Sequence, residues 1–131
     1  MPAFESKTIS GNPVISGAYE GHKLVVSFVS TKCPECEQTL SAANSVYQDN
    51  RDLVVVGVFQ KDHADGAVPV ASRLSLRFPI VVDHDGSISR QFQIGDVVPS
   101  TFVVDSGGRV RWVGGSELTS DALDRAVQSA P

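Results

Sequence analysis

The residues best suited to chemistry are Cys33 and Cys36, the only two cysteines of this 131-residue chain. A spacing of three lets their sulfurs reach each other within one helical turn. Pro34 suits the first turn of a helix, where its missing N–H costs no hydrogen bond, so we predict a helix over residues 34–50. Free N–H groups and the helix dipole at this terminus would stabilise a thiolate on Cys33. We therefore predict that Cys33 is the nucleophile and that Cys36 releases the mixed disulfide it forms.

Three residues beside the cysteines are candidates for adjusting their reactivity. The Lys32 cation would favour a thiolate on Cys33, whereas the Glu35 carboxylate would oppose it, and Pro34 shapes the turn between them. The alternative is that Lys32 and Glu35 belong to a solvated charged rim. The pattern leaves the redox poise of the pair open.

Hydrophobic patterning predicts an α/β fold. Residues 24–29 and 53–59 are short continuous apolar runs, typical of buried strands, and each is followed by a helical pattern. This alternation predicts parallel strands with crossover helices. The turn at 105–108 predicts a hairpin, so the sheet becomes mixed. Further strands are expected at 78–82, 101–104 and 109–113, and helices at 70–76, 88–92 and from a cap at Thr119 or Ser120 to the end.

The chain is expected to form one domain over residues 1–131. Thr8-Ile9 and Val14-Ile15 flank the turn signal at 11–13, which predicts an N-terminal β-hairpin extension within residues 1–22. Residues 23–131 would then form the core, a central mixed sheet flanked by helices.

Composition excludes several functional classes. The formal net charge is -4, which argues against nucleic acid or an anionic membrane as a partner. With 41% hydrophobic and 20% charged residues, the chain has the composition of a globular protein. No apolar run is long enough to span a bilayer, and residues 1–23 lack the pattern of a signal peptide. We expect a soluble chain.

A metal centre is a weaker interpretation of the cysteine pair. A zinc site needs about two further ligands, and His22, His63 and His84 are scattered singly in predicted turns or loops. We therefore assign no metal ligand. Two thiolates can bind a soft ion such as Cu(I), so a metallochaperone stays an alternative, as does an inert disulfide.

Three stretches of the chain together resemble the thioredoxin superfamily. They are the strand–CPEC–helix unit, residues 98–105 and residues 108–110. The opening hairpin, residues 21–26 and residues 78–83 are similar to its TlpA and ResA-type branch. The resemblance implies that Val98 and Pro99 form a cis-proline loop facing the dithiol, where backbone groups hold the substrate chain. By contrast, Pro69 and Pro79 are taken as structural.

The resemblance also implies a function. It indicates a thiol–disulfide oxidoreductase that exchanges electrons with protein thiols and disulfides, with a membrane electron donor as one option for its partner. A reductase role in cytochrome c maturation or a related assembly pathway follows from the same family. No cofactor is needed besides the redox-active disulfide. The family further implies an extracytoplasmic location, periplasmic or membrane-anchored with the leader removed, and we expect a monomer.

Two positions depart from the family pattern. Lys32 stands where the family usually has Trp, and Ser27 stands where thioredoxins place a buried acid on the central strand. Asp62 could supply an acid near Cys36, but we favour a solvated loop position for it. Residues 27–36 are also similar to MauD-type maturation proteins.

A peroxiredoxin-like peroxidase is the enzymatic alternative, because that family has the same core fold. Its peroxidatic thiol lies in a Pro-x-x-x-Thr-x-x-Cys pattern. The matching positions here are Val26, Ser30 and Cys33, so the pattern is missing. We therefore favour disulfide exchange.

Overall fold

A five-stranded mixed β-sheet lies at the centre of the computed structural model, which describes residues 1–95 and 97–131. The strand order is β5-β4-β3-β6-β7, with β3, β4 and β5 parallel and β6 antiparallel to both of its neighbours. The strands are β1 (Glu5–Lys7), β2 (Pro13–Ile15), β3 (Leu24–Val29), β4 (Val54–Gln60), β5 (Ile80–Asp83), β6 (Ser100–Val104) and β7 (Val110–Gly114). The helices are α1 (Cys36–Asp49), α2 (Ala64–Arg73), α3 (Ser87–Gln91) and α4 (Ser120–Ser129). This is the α/β fold with a central mixed sheet that the sequence predicts.

Strand β3 is the central strand, and it has the bounds that the sequence predicts. All six of its residues are buried, because β4 and β6 cover its edges and side chains from other elements cover both faces. A strand buried on both faces has a continuous apolar run of residues, which is why the sequence predicts its bounds. Its carboxyl end leads directly into the segment that carries the cysteines.

Alternate residues of β3 enter two separate hydrophobic cores. Val25 and Val29 pack in the larger core, which also holds α1 and α4. Leu24, Val26 and Phe28 pack in a second core, where the Phe28 ring lies 5.0 Å from Phe92 and 5.8 Å from Phe102 between ring centroids. The two cores hold β3 rigidly from opposite sides.

The N-terminal hairpin is present, but its first strand is shifted from the predicted position. Strand β1 begins at Glu5 and pairs with β2. Thr8 instead forms a bridge with Val81, and the Ile9 N–H donates to the carbonyl of Ile80. The predicted strand residues therefore cover the edge of β5, which is a tertiary contact that local patterning does not show.

Two helix starts also differ from the sequence expectation. Helix α1 begins at Cys36, two residues after Pro34, and α2 begins at Ala64, well before residue 70. Pro69 lies inside α2, where it removes one backbone hydrogen bond. The sequence predicts this helix only at 70–76, because residues 60–66 are polar and are typical of a loop. Burial of Ala67 against the larger core keeps this helix in place despite the proline.

The last helix follows the predicted pattern. Thr119 caps α4, with its Oγ1 accepting a hydrogen bond from the Ala122 N–H at 3.1 Å. Leu123 and Val127 on one face of α4 are buried in the larger core. Within residues 1–95 and 97–131, every helix is too short or too polar to cross a membrane.

Candidate active site

Cys33 and Cys36 are joined by a disulfide just beyond the carboxyl end of β3. Their Cα atoms lie 5.3 Å apart. Cys33 is partly exposed, whereas Cys36 is buried with 1% of its surface accessible. This difference is the one expected between an attacking cysteine and a resolving cysteine.

A tight turn brings Cys33 in front of the helix. The Cys33 N–H donates to the carbonyl of Ser30 at 3.2 Å, and the Cys36 N–H donates to the carbonyl of Cys33 at 3.1 Å. The Ser30 hydroxyl accepts a further bond from the Lys32 N–H at 3.2 Å. The nucleophile candidate thus lies at the amino end of α1, where the positive end of the helix dipole favours a thiolate.

Asp62 fixes the segment before Cys33 from a distant part of the chain. Its two carboxylate oxygens accept hydrogen bonds from the Thr31 N–H at 2.9 Å and from the Thr31 hydroxyl at 2.7 Å. Asp62 is 6% exposed, so the expectation of a solvated loop residue was wrong. Burial is tolerated because both oxygens are bonded. A Cβ on Gly66 of α2 would lie 3.3 Å from the Thr31 methyl group, which shows how closely the helix approaches.

Val98 and Pro99 lie beside the same segment. The peptide bond between them is cis, and Pro99 is buried. Ser100 pairs with Phe28, so the antiparallel register places Pro99 alongside the end of β3. Val98 packs against the same core as Cys33, and it faces Ser30, Lys32 and Asp62 across a cleft of about 230 Å³.

The segment that leads to Pro99 is fixed to β4. The side-chain amide of Gln60, the last residue of β4, donates to the carbonyl of Gly95. Gln60 is buried and also lines the cleft. The carboxyl ends of β3 and β4 and the segment before β6 therefore meet at this cleft.

The predicted modulating residues lie at the surface. Lys32, Pro34 and Glu35 are all exposed. Glu37, one residue after Cys36, forms a two-pronged ion pair with Arg73 of α2 at 2.7 and 3.0 Å. The hydrogen bonds from Arg73 hold the pKa of the Glu37 carboxyl below its usual value. This pair connects the first turn of α1 to α2.

A neutral pair occupies the place of the buried acid of thioredoxins. Ser27 is fully buried on β3, and its Oγ lies 3.0 Å from the Oγ1 of Thr101 on β6. Each hydroxyl therefore has a partner. The described residues thus offer no carboxylate at this position of the central strand.

The sequence predicts that the three histidines lie apart, but two of them are in contact in the structure. The rings of His63 and His84 touch, with centroids 4.5 Å apart. The ends of β4 and β5 are neighbours in the sheet, and this brings the two loops together. Nevertheless, among residues 1–95 and 97–131 no three histidine, cysteine or acidic side chains converge in a way that could hold a metal ion.

Two residues close to the cysteines along the chain, Thr31 and Thr39, are not predicted as site residues from the sequence. Thr31 binds an acid 31 positions away, and no local pattern signals such a contact. Thr39 is different, because it is a polar residue on the helix stripe that also contains Leu40 and Ala43. Its spacing of three from Cys36 is visible in the sequence.

The fold and the disulfide together define a class: the chain is a thiol–disulfide oxidoreductase with the thioredoxin-like fold. The chain belongs to the AhpC/TSA family, whose family model it matches over residues 1–113.

Curated relatives carry names that agree with this class. The chain is 24% identical over 130 residues to thiol-disulfide oxidoreductase ResA of Geobacillus kaustophilus, covering 98% of this chain and 74% of that protein. It is 28% identical over 129 residues to sporulation thiol-disulfide oxidoreductase A of Bacillus subtilis, with 94% and 77% covered. A solved structure of a secreted Mycobacterium tuberculosis disulfide oxidoreductase, described as homologous to DsbE of E. coli, superposes with a TM-score of 0.88. That chain is 21% identical, with 96% of this chain and 95% of that one covered, and the likeness concerns the fold.

Proposed function

We propose that this protein exchanges electrons with disulfides and thiols of partner proteins through Cys33 and Cys36. The observation that carries the proposal is the asymmetry of the disulfide, which joins a partly exposed sulfur to a buried one. A partner can reach Cys33, whereas Cys36 is accessible only to Cys33. This arrangement supports a two-step exchange with one sulfur assigned to each step.

In the reducing direction, the Cys33 thiolate attacks a sulfur of the partner disulfide. A mixed disulfide forms between Cys33 and the partner, and the second partner sulfur leaves as a thiolate. Cys36 then attacks Cys33, the disulfide seen here forms again, and the other partner sulfur departs. The partner gains two electrons and two protons, which the dithiol loses, and the oxidising direction is the reverse.

The cis-proline loop supports a binding site for an extended substrate segment. Val97 is 65% exposed and Val98 is partly exposed beside Lys32. Backbone groups of Val98 would pair with the substrate chain as an added strand, which holds its sulfur next to Cys33. The apolar Val97 side chain would contact the same segment.

The names of the relatives support a compartment and a pathway. A structural neighbour is described as secreted and homologous to DsbE, and a curated relative is named ResA. These names support our proposal that the protein acts outside the cytoplasm, in an assembly pathway of the kind that includes cytochrome c maturation. A membrane electron donor would then reduce the disulfide.

Trapping of partners in extracts of the source cell tests the proposal. Cys36→Ser should accumulate mixed disulfides, because Cys33 can attack but no internal thiol releases the partner. Cys33→Ser is the matched control and should form none. The adducts are measured by non-reducing electrophoresis after thiol blocking. Equal and negligible adducts from two correctly folded variants would contradict disulfide exchange, and a stoichiometric Cu(I) complex of the wild-type protein would then favour the metallochaperone.

A further inference from the structure

Thr39 carries a buried hydroxyl without a partner. Its side chain is completely buried, and within the described residues its Oγ1 has no hydrogen-bond partner. Thr39 lies in α1, three residues after Cys36. Nearly all buried polar groups in proteins are bonded, so an exception calls for an explanation.

The two ordinary explanations for a helical threonine do not apply to Thr39. A threonine inside a helix usually bonds a backbone carbonyl one turn earlier, and Thr39 makes no such bond. An exposed threonine would bond solvent, but this one is inaccessible. The other buried residues of α1 are Cys36, Leu40, Ala42, Ala43 and Val46, so Thr39 places a hydroxyl on a stripe of apolar side chains and one thiol.

Helix geometry directs Thr39 toward Cys36. Side chains three positions apart are neighbours on one face, with Cβ atoms about 5–6 Å apart. Helical side chains also tilt toward the amino end, so Thr39 lies over the turn that holds Cys36. In the oxidised protein the Cys36 sulfur is bonded to Cys33, and it has no S–H group to offer.

We propose that the Thr39 hydroxyl is the hydrogen-bond partner of the Cys36 sulfur once the disulfide opens. It accepts from the Cys36 S–H in the reduced protein and donates to the Cys36 thiolate when that sulfur attacks. This inference rests on the proposed exchange function and adds a role in it for a third side chain. The hydroxyl is unpaired in the oxidised form and paired in the reduced form, so it favours reduction.

The same hydroxyl assists the release of the partner. In that step Cys36 attacks the Cys33 sulfur of the mixed disulfide, the Cys33–Cys36 bond forms and the bond to the partner breaks. The electron pair leaves with the partner sulfur, and the proton of the Cys36 thiol passes to that sulfur. A buried thiol ionises with difficulty, so a hydrogen bond that stabilises the thiolate lowers the barrier. Thr39 neither gains nor loses a proton.

Equilibration with glutathione tests the proposal in the full chain. Thr39→Val keeps the shape of the side chain and removes the hydroxyl. The reduced fraction should fall, because the equilibrium constant for reduction of the protein disulfide drops roughly tenfold. This corresponds to a reduction potential lower by about 30 mV for a two-electron couple. Thr39→Ser should keep the wild-type constant. Release of a partner from Cys33, followed after mixing with a small disulfide, should be slowed by Thr39→Val and not by Thr39→Ser.

Ser89→Ala is the control for the loss of a buried hydroxyl, because the Ser89 hydroxyl of α3 donates a hydrogen bond to Asp83 at 2.9 Å. It should lower stability and leave the glutathione equilibrium unchanged. By contrast, oxidised Thr39→Val should unfold at an equal or higher temperature than the wild type, since an unpaired hydroxyl is lost.

Three results would overturn the role of Thr39. They are a wild-type equilibrium constant in Thr39→Val, the same shift in Thr39→Ser, or an oxidised Thr39→Val protein that is destabilised or fails to fold. The last would show that the hydroxyl has a structural partner, such as a buried water, in the oxidised state. A wild-type protein that does not equilibrate with glutathione would instead contradict the exchange function itself.

Discussion

The Asp62 carboxylate accepts two hydrogen bonds from Thr31, one from the backbone N–H at 2.9 Å and one from the hydroxyl at 2.7 Å. Asp62 follows the end of β4, whereas Thr31 follows the end of β3, two residues before Cys33. Adjacent parallel strands thus bring together a buried acid and the segment that presents the nucleophile candidate. The contact fixes the direction in which the chain leaves the sheet.

Replacing Asp62 with Ala should lower the free energy of unfolding by about 1–3 kcal/mol, because two hydrogen bonds to a buried carboxylate are lost. Thr31→Val should cost less, since the backbone N–H keeps its acceptor, and Thr31→Ser should be close to wild type. Urea unfolding of the oxidised proteins measures these differences. A wild-type unfolding midpoint for Asp62→Ala would show that the contact does not stabilise the fold.

Alkylation of the reduced protein should label Cys33 before Cys36. Cys33 is partly exposed and precedes the helix, whereas Cys36 is 1% exposed. A thiolate at the amino end of a helix is also the more reactive nucleophile. Brief treatment with iodoacetamide, followed by peptide mass spectrometry, gives the order, and Cys33→Ser shows the rate of Cys36 alone. Faster labelling of Cys36 would reverse the assigned roles.

Lys32 and Glu35 should shift the reactivity of Cys33 in opposite directions. Lys32→Gln removes a cation that favours the thiolate, so the pH at which alkylation is half-maximal should rise, and Glu35→Gln should lower it. Both side chains are exposed, so solvent screening keeps each effect small. Arg109→Gln, in the turn at the opposite end of β6, is the control. Unchanged profiles in both variants would support the interpretation of a solvated rim.

Gly114 and Gly115 form a matched pair for a test of packing around Trp112 of β7. A Cβ on Gly114 would lie 2.3 Å from the Trp112 ring, whereas one on Gly115 would meet its nearest atom, in Glu117, at 3.8 Å. Gly114→Ala should therefore cost about 1–3 kcal/mol, and Gly115→Ala should be neutral or slightly stabilising. Trp112, the only tryptophan, reports unfolding by its fluorescence. Equal stabilities would mean that the ring moves aside without cost.

The adjacent loop connects this region to α1. The Gln38 side-chain amide, two residues after Cys36, donates to the carbonyl of Leu118 at 3.3 Å. Leu118 is buried in the larger core. A Cβ on Gly114 would also lie 3.2 Å from the Leu118 Cδ1 atom, so Gly114→Ala should disturb the first turns of α1, visible as faster hydrogen exchange there.

The sequence predicts best those elements whose signals, such as an apolar run or a helix cap, lie within one short segment of the chain. Strand β3 has a continuous apolar run and the predicted bounds, and the cap of α4 lies at Thr119. The start of α2 is predicted too late because residues 60–66 are polar locally, while the buried Ala67 holds the helix through a tertiary contact. The shift of β1 also results from a tertiary contact, because Thr8 forms a bridge with Val81 of β5 instead of lying in β1.

The sequence by itself determined the dithiol, its place between a buried strand and a helix, and the α/β order of elements, since each follows from spacing and periodicity within short windows. Only the tertiary structure decided that Asp62 is buried on Thr31, that Val98 faces Lys32 across a cleft, and that the Thr39 hydroxyl has no partner. These relationships join strands distant in the chain, or depend on how completely packing excludes water. Neither the contacts between distant strands nor the exclusion of water by packing is encoded in any local pattern of residues.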